Sequence, residues 1–199
     1  MEASTARVGE LLAQQRLADA LRRADRAEEA SNTDALTGVR SRRWVQAELP
    51  ALLRTASRHD GPAAVAIVDV DHFKAVNDRW GHHVGDEVLV DVARSLLHAP
   101  GVTHAARLGG EEFLLVLPGP SPTWEAVTEQ VRTGVSSLRW PGSAPGLHVS
   151  VSIGVAAAEV EDPLTDTLRR ADRRLYRAKT AGRDRSVGPW SFGSDGGPA

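Results

Sequence analysis

One stretch constrains this chain more than any other: the apolar run Ala63 to Val70, closed by Asp69-Val70-Asp71. The run is short and rich in β-branched residues. It does not alternate between apolar and polar, so it reads as a strand buried on both faces. A core strand has no use for two carboxylates, because a buried charge must be paired or must bind a metal. The ends of strands in α/β sheets are also where ligand crevices form. For Asp71 alone a simpler role is available, capping the turn that begins at His72.

The elements around this strand can be read from periodicity and breakers. Residues 2–31 contain no proline and many Ala, Leu, Arg and Glu, and read as one helix. Leu17, Leu21 and Ala24 keep a 4-then-3 spacing that Leu11 and Leu12 do not. The segment is a candidate for a short coiled-coil stalk or, equally, for a solvated extension. A helix over Arg42–Arg58 is expected to kink or divide at Pro50. Val84 to Ala99 reads as a helix stopped by Pro100-Gly101. Thr103–Leu108 and Phe113–Leu117 are strand-like runs joined by Gly109-Gly110-Glu111-Glu112, a hairpin signal. Thr123–Ser136 and Pro163–Ala181 read as helices, Leu147–Ala157 as a strand, and Ser186-Val187 as the start of a last short one. The expected fold is α/β (α+β). It has a central mixed five-stranded sheet with an antiparallel hairpin, covered by helices. Residues 1–32 are expected to form the N-terminal helix and 33–187 the folded domain. Residues 188–199, rich in Gly, Ser and Pro, read as a disordered tail.

Composition narrows the chemistry. The 199 residues are 41% hydrophobic, enough for a real core, and the absence of cysteine excludes disulfides and thiolate metal sites. The net charge of -2 gives no reason to expect nucleic acid or an anionic membrane as partner. No apolar run reaches the length of a membrane span, and Met1–Gln15 lacks the order of a signal peptide. A cytoplasmic protein is therefore expected. Of the 24 basic residues only Lys74 and Lys179 are lysine. Against an arginine background, a lysine can mark a place that wants a compact point charge.

The glycines of Gly109-Gly110-Glu111-Glu112-Phe113 permit a tight turn and close approach of a ligand to the backbone. The two adjacent acids repel each other unless a cation is present. Alone, this could be a solvated acidic hairpin. Combined with Asp69, it can supply oxygen ligands to Mg²⁺. Two such ions form a clamp for in-line phosphoryl transfer.

These residues resemble the GG(D/E)EF signature of the diguanylate cyclases. Asp69 to Asp78 is similar to that family's D-x-D-x-F-K-x-x-N-D block, and Gly81-His82-His83-Val84-Gly85-Asp86 to its G-H-x-x-G-D. Asp34-Ala35-Leu36-Thr37-Gly38, Val151 to Ala156, and the stretch from Ala171 to Arg183 resemble its opening, late-strand and closing blocks in order. The resemblance implies a fold like class III nucleotidyl cyclases and the polymerase palm. It implies an enzyme that condenses two GTP into cyclic di-GMP in a homodimer, with two Mg²⁺ (or Mn²⁺) per active site. Asp69, the Val70 carbonyl and Glu111 would hold metal, with Glu112 beside them for the second ion. Glu111 would accept the proton of the 3′-hydroxyl. Lys74, Lys179 and Arg183 would face the triphosphate. Asn77 and Asp86 would read guanine, and Phe73, His82, Gly109 and Gly110 would line the nucleotide. The N-terminal helix would raise local concentration of protomers or relay a signal from an upstream sensor or partner.

The sequence also departs from the family. Where many members carry the R-x-x-D motif of an inhibitory product site, this chain has Pro100-Gly101-Val102-Thr103. Leu108 replaces the usual aromatic before the glycines, and Ser41 and Asp184 stand where asparagine is common. Two other readings follow from the same residues. One is a catalytically silent domain that binds nucleotide or a partner, although every signature acid and glycine is present. The other is an enzyme making an adenine-containing dinucleotide, against which Asp86 argues.

Overall fold

A computed structural model describes residues 31–59, 61–159 and 162–191. Apart from Ser31 and Asn32, the expected N-terminal helix and its candidate stalk lie outside those residues, as do residues 192–199 of the tail.

The expected central strand is β2 (Ala63–Val70), buried at every position. Its side chains alternate between two helical layers. Ala64, Ala66, Val68 and Val70 enter the larger core. That core holds Phe73 and Val76 of α3 (Phe73–Trp80), the apolar stripe of α4 (His82–Leu97), and Trp124, Val131 and Val135 of α5 (Ser121–Ser136). On the opposite face Ala63 and Val65 meet α1 (Arg42–Ala47) and α2 (Leu49–His59), through Trp44, Val45, Leu49 and Leu53. Ile67, further along that face, meets Ala171 and Leu175 of α6 (Leu164–Thr180).

The sheet has six strands, in the order β1-β3-β4-β2-β5-β6. The hairpin strands β3 (His104–Gly109) and β4 (Glu112–Pro118) are antiparallel, β4 and β5 (Val151–Ala158) flank β2 antiparallel to it, and β6 (Arg185–Val187) joins β5 in parallel. The strand beyond the expected five is β1 (Arg40–Ser41), parallel to β3. Two residues are too few to leave a periodic signal.

Four features differ from the sequence reading. The 42–58 helix does divide, but at Glu48. Pro50 falls in the first turn of α2, where its missing N–H breaks no bond. α3 was not anticipated: it is short, and Gly81, at φ 85°, serves both as its C-cap and as the N-cap of α4. β5 begins at Val151 rather than Leu147, because β2 pairs with it only as far as Val70. The expected disorder does not extend over residues 188–191. Pro189–Ser191 form a 3₁₀ turn, and Trp190 packs against the larger core.

Candidate active site

The candidate site lies where β2 ends beside the β3–β4 hairpin. Asp69 stands opposite Glu112 in the ladder, and the Val70 amide donates to the Glu111 carbonyl at 3.2 Å. One backbone register thus brings the acids of both constellations together. Gly109 has φ 143° and Gly110 φ 51°, and the ladder carries an irregularity between Arg107 and Gly109. A side chain at Gly109 would be strained there. The hairpin tip is therefore fixed by backbone geometry before any ligand arrives.

Sequence reasoning missed the residue that braces this tip. Arg107 Nε and Nη2 donate to the Gly110 carbonyl at 3.0 and 2.8 Å, and Nη1 reaches Asp34 Oδ1 at 3.2 Å. Asp34 is itself held by the Thr37 amide at 2.9 Å and hydroxyl at 2.6 Å. Burial alone would raise the Asp34 pKa, but the Thr37 bonds and Arg107 outweigh it and hold the carboxyl below its usual range. The opening D-x-L-T-G block is thus tied to the signature turn through one guanidinium. Arg107→Ala is expected to leave the helices and sheet intact and to lower kcat by about 10- to 100-fold. Charge-assisted bonds of this kind contribute about 1.5–3 kcal/mol each. Circular dichroism with steady-state kinetics checks it, and Asp34→Ala in the Arg107→Ala background should add little further loss.

Asp69 is 7% exposed. Burial pushes its carboxyl up, Lys179 opposes that, and Glu111 and Glu112 add to the rise. Lys179 Nζ lies 2.7 Å from Asp69 Oδ2. It arrives there because α6 sits directly on β5. The face of β5 toward α6 carries Ser152, Gly154 and Ala156. A Cβ on Gly154 would lie 2.2 Å from the Ala171 carbonyl oxygen and the Leu175 nitrogen.

Asp71 does not cap the following helix. The cap position is His72, in the left-handed region at φ 57°, with no side-chain cap bond. Asp71 faces the other way and accepts from Ser150 and Ser152 hydroxyls at 2.7 Å each, and from the Asp184 amide at 3.1 Å. It ties β2 to the turn after α6, where Arg183 and Asp184 both have positive φ, at 63° and 46°. Arg183 therefore sits in a pinned turn at the same end of the sheet as Asp69.

The remaining expected residues lie on the α3–α4 pair. Gly85 lets the helices touch: a Cβ there would meet Asn77 Oδ1 at 1.9 Å. Asn77 is half-buried, and Asp86 and His82 are exposed. Lys74 does not reach toward the acids. It pairs with Asp78 at 2.7 Å on the surface. Phe73 is buried in the larger core, so its ring is not offered to a ligand.

The sequence profile described as "Diguanylate cyclase, GGDEF domain" matches residues 31–185. This chain belongs to the GGDEF family. The GGDEF chain is 38% identical over 160 residues to the probable diguanylate cyclase DgcC of Escherichia coli, covering 78% of this chain and 43% of that protein. It is 35% identical over 191 residues to the response regulator PleD of Caulobacter vibrioides, covering 92% and 42% respectively. It thus spans less than half the length of these relatives. Among solved structures, diguanylate cyclase SiaD of Pseudomonas aeruginosa in complex with its activator SiaC superposes at TM-score 0.74 with 35% identity, over 94% of this chain and 75% of that one. The coiled coil and GGDEF domain of DgcB from Caulobacter crescentus, in complex with c-di-GMP, gives 0.72 and 31%, over 88% and 98%.

The donors of this GGDEF site fit a hard divalent cation: carboxylate oxygens, with a lysine ammonium standing on Asp69 as a cation would. Among the described residues no three acids or imidazoles already form a closed cage. An apolar cleft of about 520 Å³, bounded by Trp44, Leu52, Pro62 and His104, lies at the other end of β2 and β4. It takes no part in this site. No helix among the described residues is long and apolar enough to cross a membrane.

Proposed function

We propose that this GGDEF domain condenses two GTP into cyclic di-GMP, with two protomers facing each other and each contributing one bound nucleotide. Each 3′-hydroxyl attacks the α-phosphorus of the opposite GTP, a new phosphodiester forms, and the bond to pyrophosphate breaks. The observation that carries this reading is the register placing Asp69 beside Glu111 and Glu112 at the end of a buried strand. Asp69, the Val70 carbonyl and Glu111 would hold Mg²⁺ or Mn²⁺, and Glu112 a second ion. The bound metal would polarise the α-phosphate and acidify the attacking hydroxyl. Glu111 accepts the hydroxyl proton. Lys179 and Arg183, with Lys74 once it leaves Asp78, neutralise the triphosphate. Gly109 and Gly110 allow close approach. Asn77 and Asp86 read guanine, with His82 beside the nucleotide.

Neither protomer is complete alone, so a homodimer is required. The N-terminal segment would promote it or relay a signal from an upstream partner. Nucleic acid and membrane have no place in this scheme, and the reaction is assigned to the cytoplasm. Incubation with labelled GTP, ATP or both, followed by separation of the products, tests the reading. Cyclic di-GMP from GTP alone is expected. No product from GTP would leave a silent nucleotide-binding domain, and a mixed product would reassign the base pocket.

Asp86→Ser is expected to lower the preference for GTP over ATP about five- to a hundred-fold, since an unpaired guanine donor edge costs about 1–3 kcal/mol. The ratio of kcat/KM values measures it, and an unchanged ratio removes Asp86 from the base pocket. Pro100 and Thr103 offer neither the guanidinium nor the carboxylate of the inhibitory motif. Added cyclic di-GMP should therefore compete weakly with GTP without lowering the maximal rate. Initial rates at several GTP concentrations check this. A maximal rate that falls steeply with product would reveal an allosteric site elsewhere.

A further inference from the structure

Both lysines of this chain are engaged with carboxylates, in different ways. Lys74 and Asp78 form a surface pair, with side chains 85% and 62% exposed, and such pairs hold weakly. Lys179 and Asp69 are 31% and 9% exposed. We propose that Lys179 is a placeholder for the divalent metal. Its ammonium holds Asp69 until a metal ion takes that carboxylate, and the displaced ammonium becomes counter-charge for the triphosphate. The inference rests on the metal-dependent, nucleotide-condensing reading of the site and adds an order of events to it.

Three features support it. A carboxylate as buried as Asp69, next to Glu111 and Glu112, keeps its charge only with a cation beside it. Asp71, two residues on, is satisfied differently: its oxygens are taken by two serine hydroxyls and a backbone amide, neutral donors fixed in the fold. Asp69 instead relies on a charge at the end of a flexible four-carbon stem. That partner is a lysine in a chain that otherwise uses arginine. A guanidinium would grip the carboxylate through two bonds and release it less readily. Finally, Lys179 lies in the last turn of α6, four residues before Arg183. From there a released ammonium can turn toward a phosphate chain beside Arg183.

The consequence is reciprocal coupling. Metal alone must displace Lys179, and nucleotide alone meets a lysine already engaged, so each promotes the other's binding. Coupling between sites typically amounts to about 5- to 150-fold. The test uses the whole chain labelled with ¹⁵N-lysine, which gives only two side-chain ammonium resonances, assigned with Lys74→Met. Saturating Mg²⁺ without nucleotide should shift or broaden the Lys179 signal and leave that of Lys74 in place. A GTP analogue with a methylene between the α- and β-phosphorus should then give Lys179 a new resonance. In parallel, Mn²⁺ binding is followed by electron paramagnetic resonance. Lys179→Met should tighten nucleotide-free Mn²⁺ binding by about tenfold, weaken binding of the analogue, and lower the coupling between them, leaving the part due to phosphate oxygens on the metal. Lys74→Met should change nucleotide-free Mn²⁺ binding far less. If Mn²⁺ binds but the Lys179 resonance does not respond, or Lys179→Met leaves nucleotide-free affinity unchanged, the placeholder role is wrong. If Mn²⁺ does not bind, or binds Asp69→Asn equally well, the metal assignment itself falls and the placeholder with it.

Discussion

Asp69→Asn is expected to reduce turnover by at least about 10³-fold while the domain stays folded. The substitution keeps the shape of the side chain and removes its charge. A bound metal then loses an anionic ligand at the point where charge develops on the transferring phosphoryl group, a loss of several kcal/mol, and about 4 kcal/mol corresponds to 10³ in rate. The fold should tolerate the change. The amide still fits between β2 and α6, and Lys179, nearly a third exposed, can turn its ammonium to water. Glu111→Gln should behave alike, since Glu111 meets β2 through its backbone carbonyl, which the substitution does not alter. Turnover at matched Mg²⁺, with the melting temperature measured alongside, checks both. Activity within tenfold of wild type in either variant would remove that residue from the metal site.

How much of this could be read in the sequence depends on whether a residue's role is local. The run Ala63–Val70 announces itself because burial on two faces needs uninterrupted apolar residues, and β2 is buried at every position. The turn Gly109-Gly110 is legible because its backbone angles favour glycine. Arg107 was invisible for the opposite reason: it is one of many arginines, and its partners Asp34 and Gly110 meet it only once β3 is placed. Asp71 was misread as a cap because its neighbours in sequence suggest one. Its actual partners, Ser150, Ser152 and Asp184, come from the far end of the chain. Lysine scarcity singled out Lys179 as a point charge but gave no sign of its carboxylate partner, Asp69. Trp190 sits in a stretch whose glycine and proline signal disorder, yet its ring, partly buried, packs against the larger core from a 3₁₀ turn.

Gly154→Ala is expected to be among the most damaging single-methyl changes in the domain. Overpacking a core commonly costs about 1–3 kcal/mol because neighbouring side chains can still rotate away. At Gly154 the new Cβ would fall 2.2 Å from two backbone atoms of α6 and 2.8 Å from the Leu175 Cα. Backbone cannot rotate away, so the whole helix must lift from β5. A cost of about 3 kcal/mol lowers the melting temperature of a domain this size by about 6–12 °C. The helix that lifts also carries Lys179, so activity should fall in protein that is still folded. A displacement of about 1 Å at positioned groups can cost 10²-fold in rate. Gly142→Ala is the companion measurement, since its Cβ would meet nothing within 4 Å and its backbone is not in the left-handed region. It should leave stability within about 0.5 kcal/mol of wild type. If Gly154→Ala melts and turns over like Gly142→Ala, then α6 does not rest on the bare backbone of β5, and the seating that brings Lys179 to Asp69 must come from elsewhere.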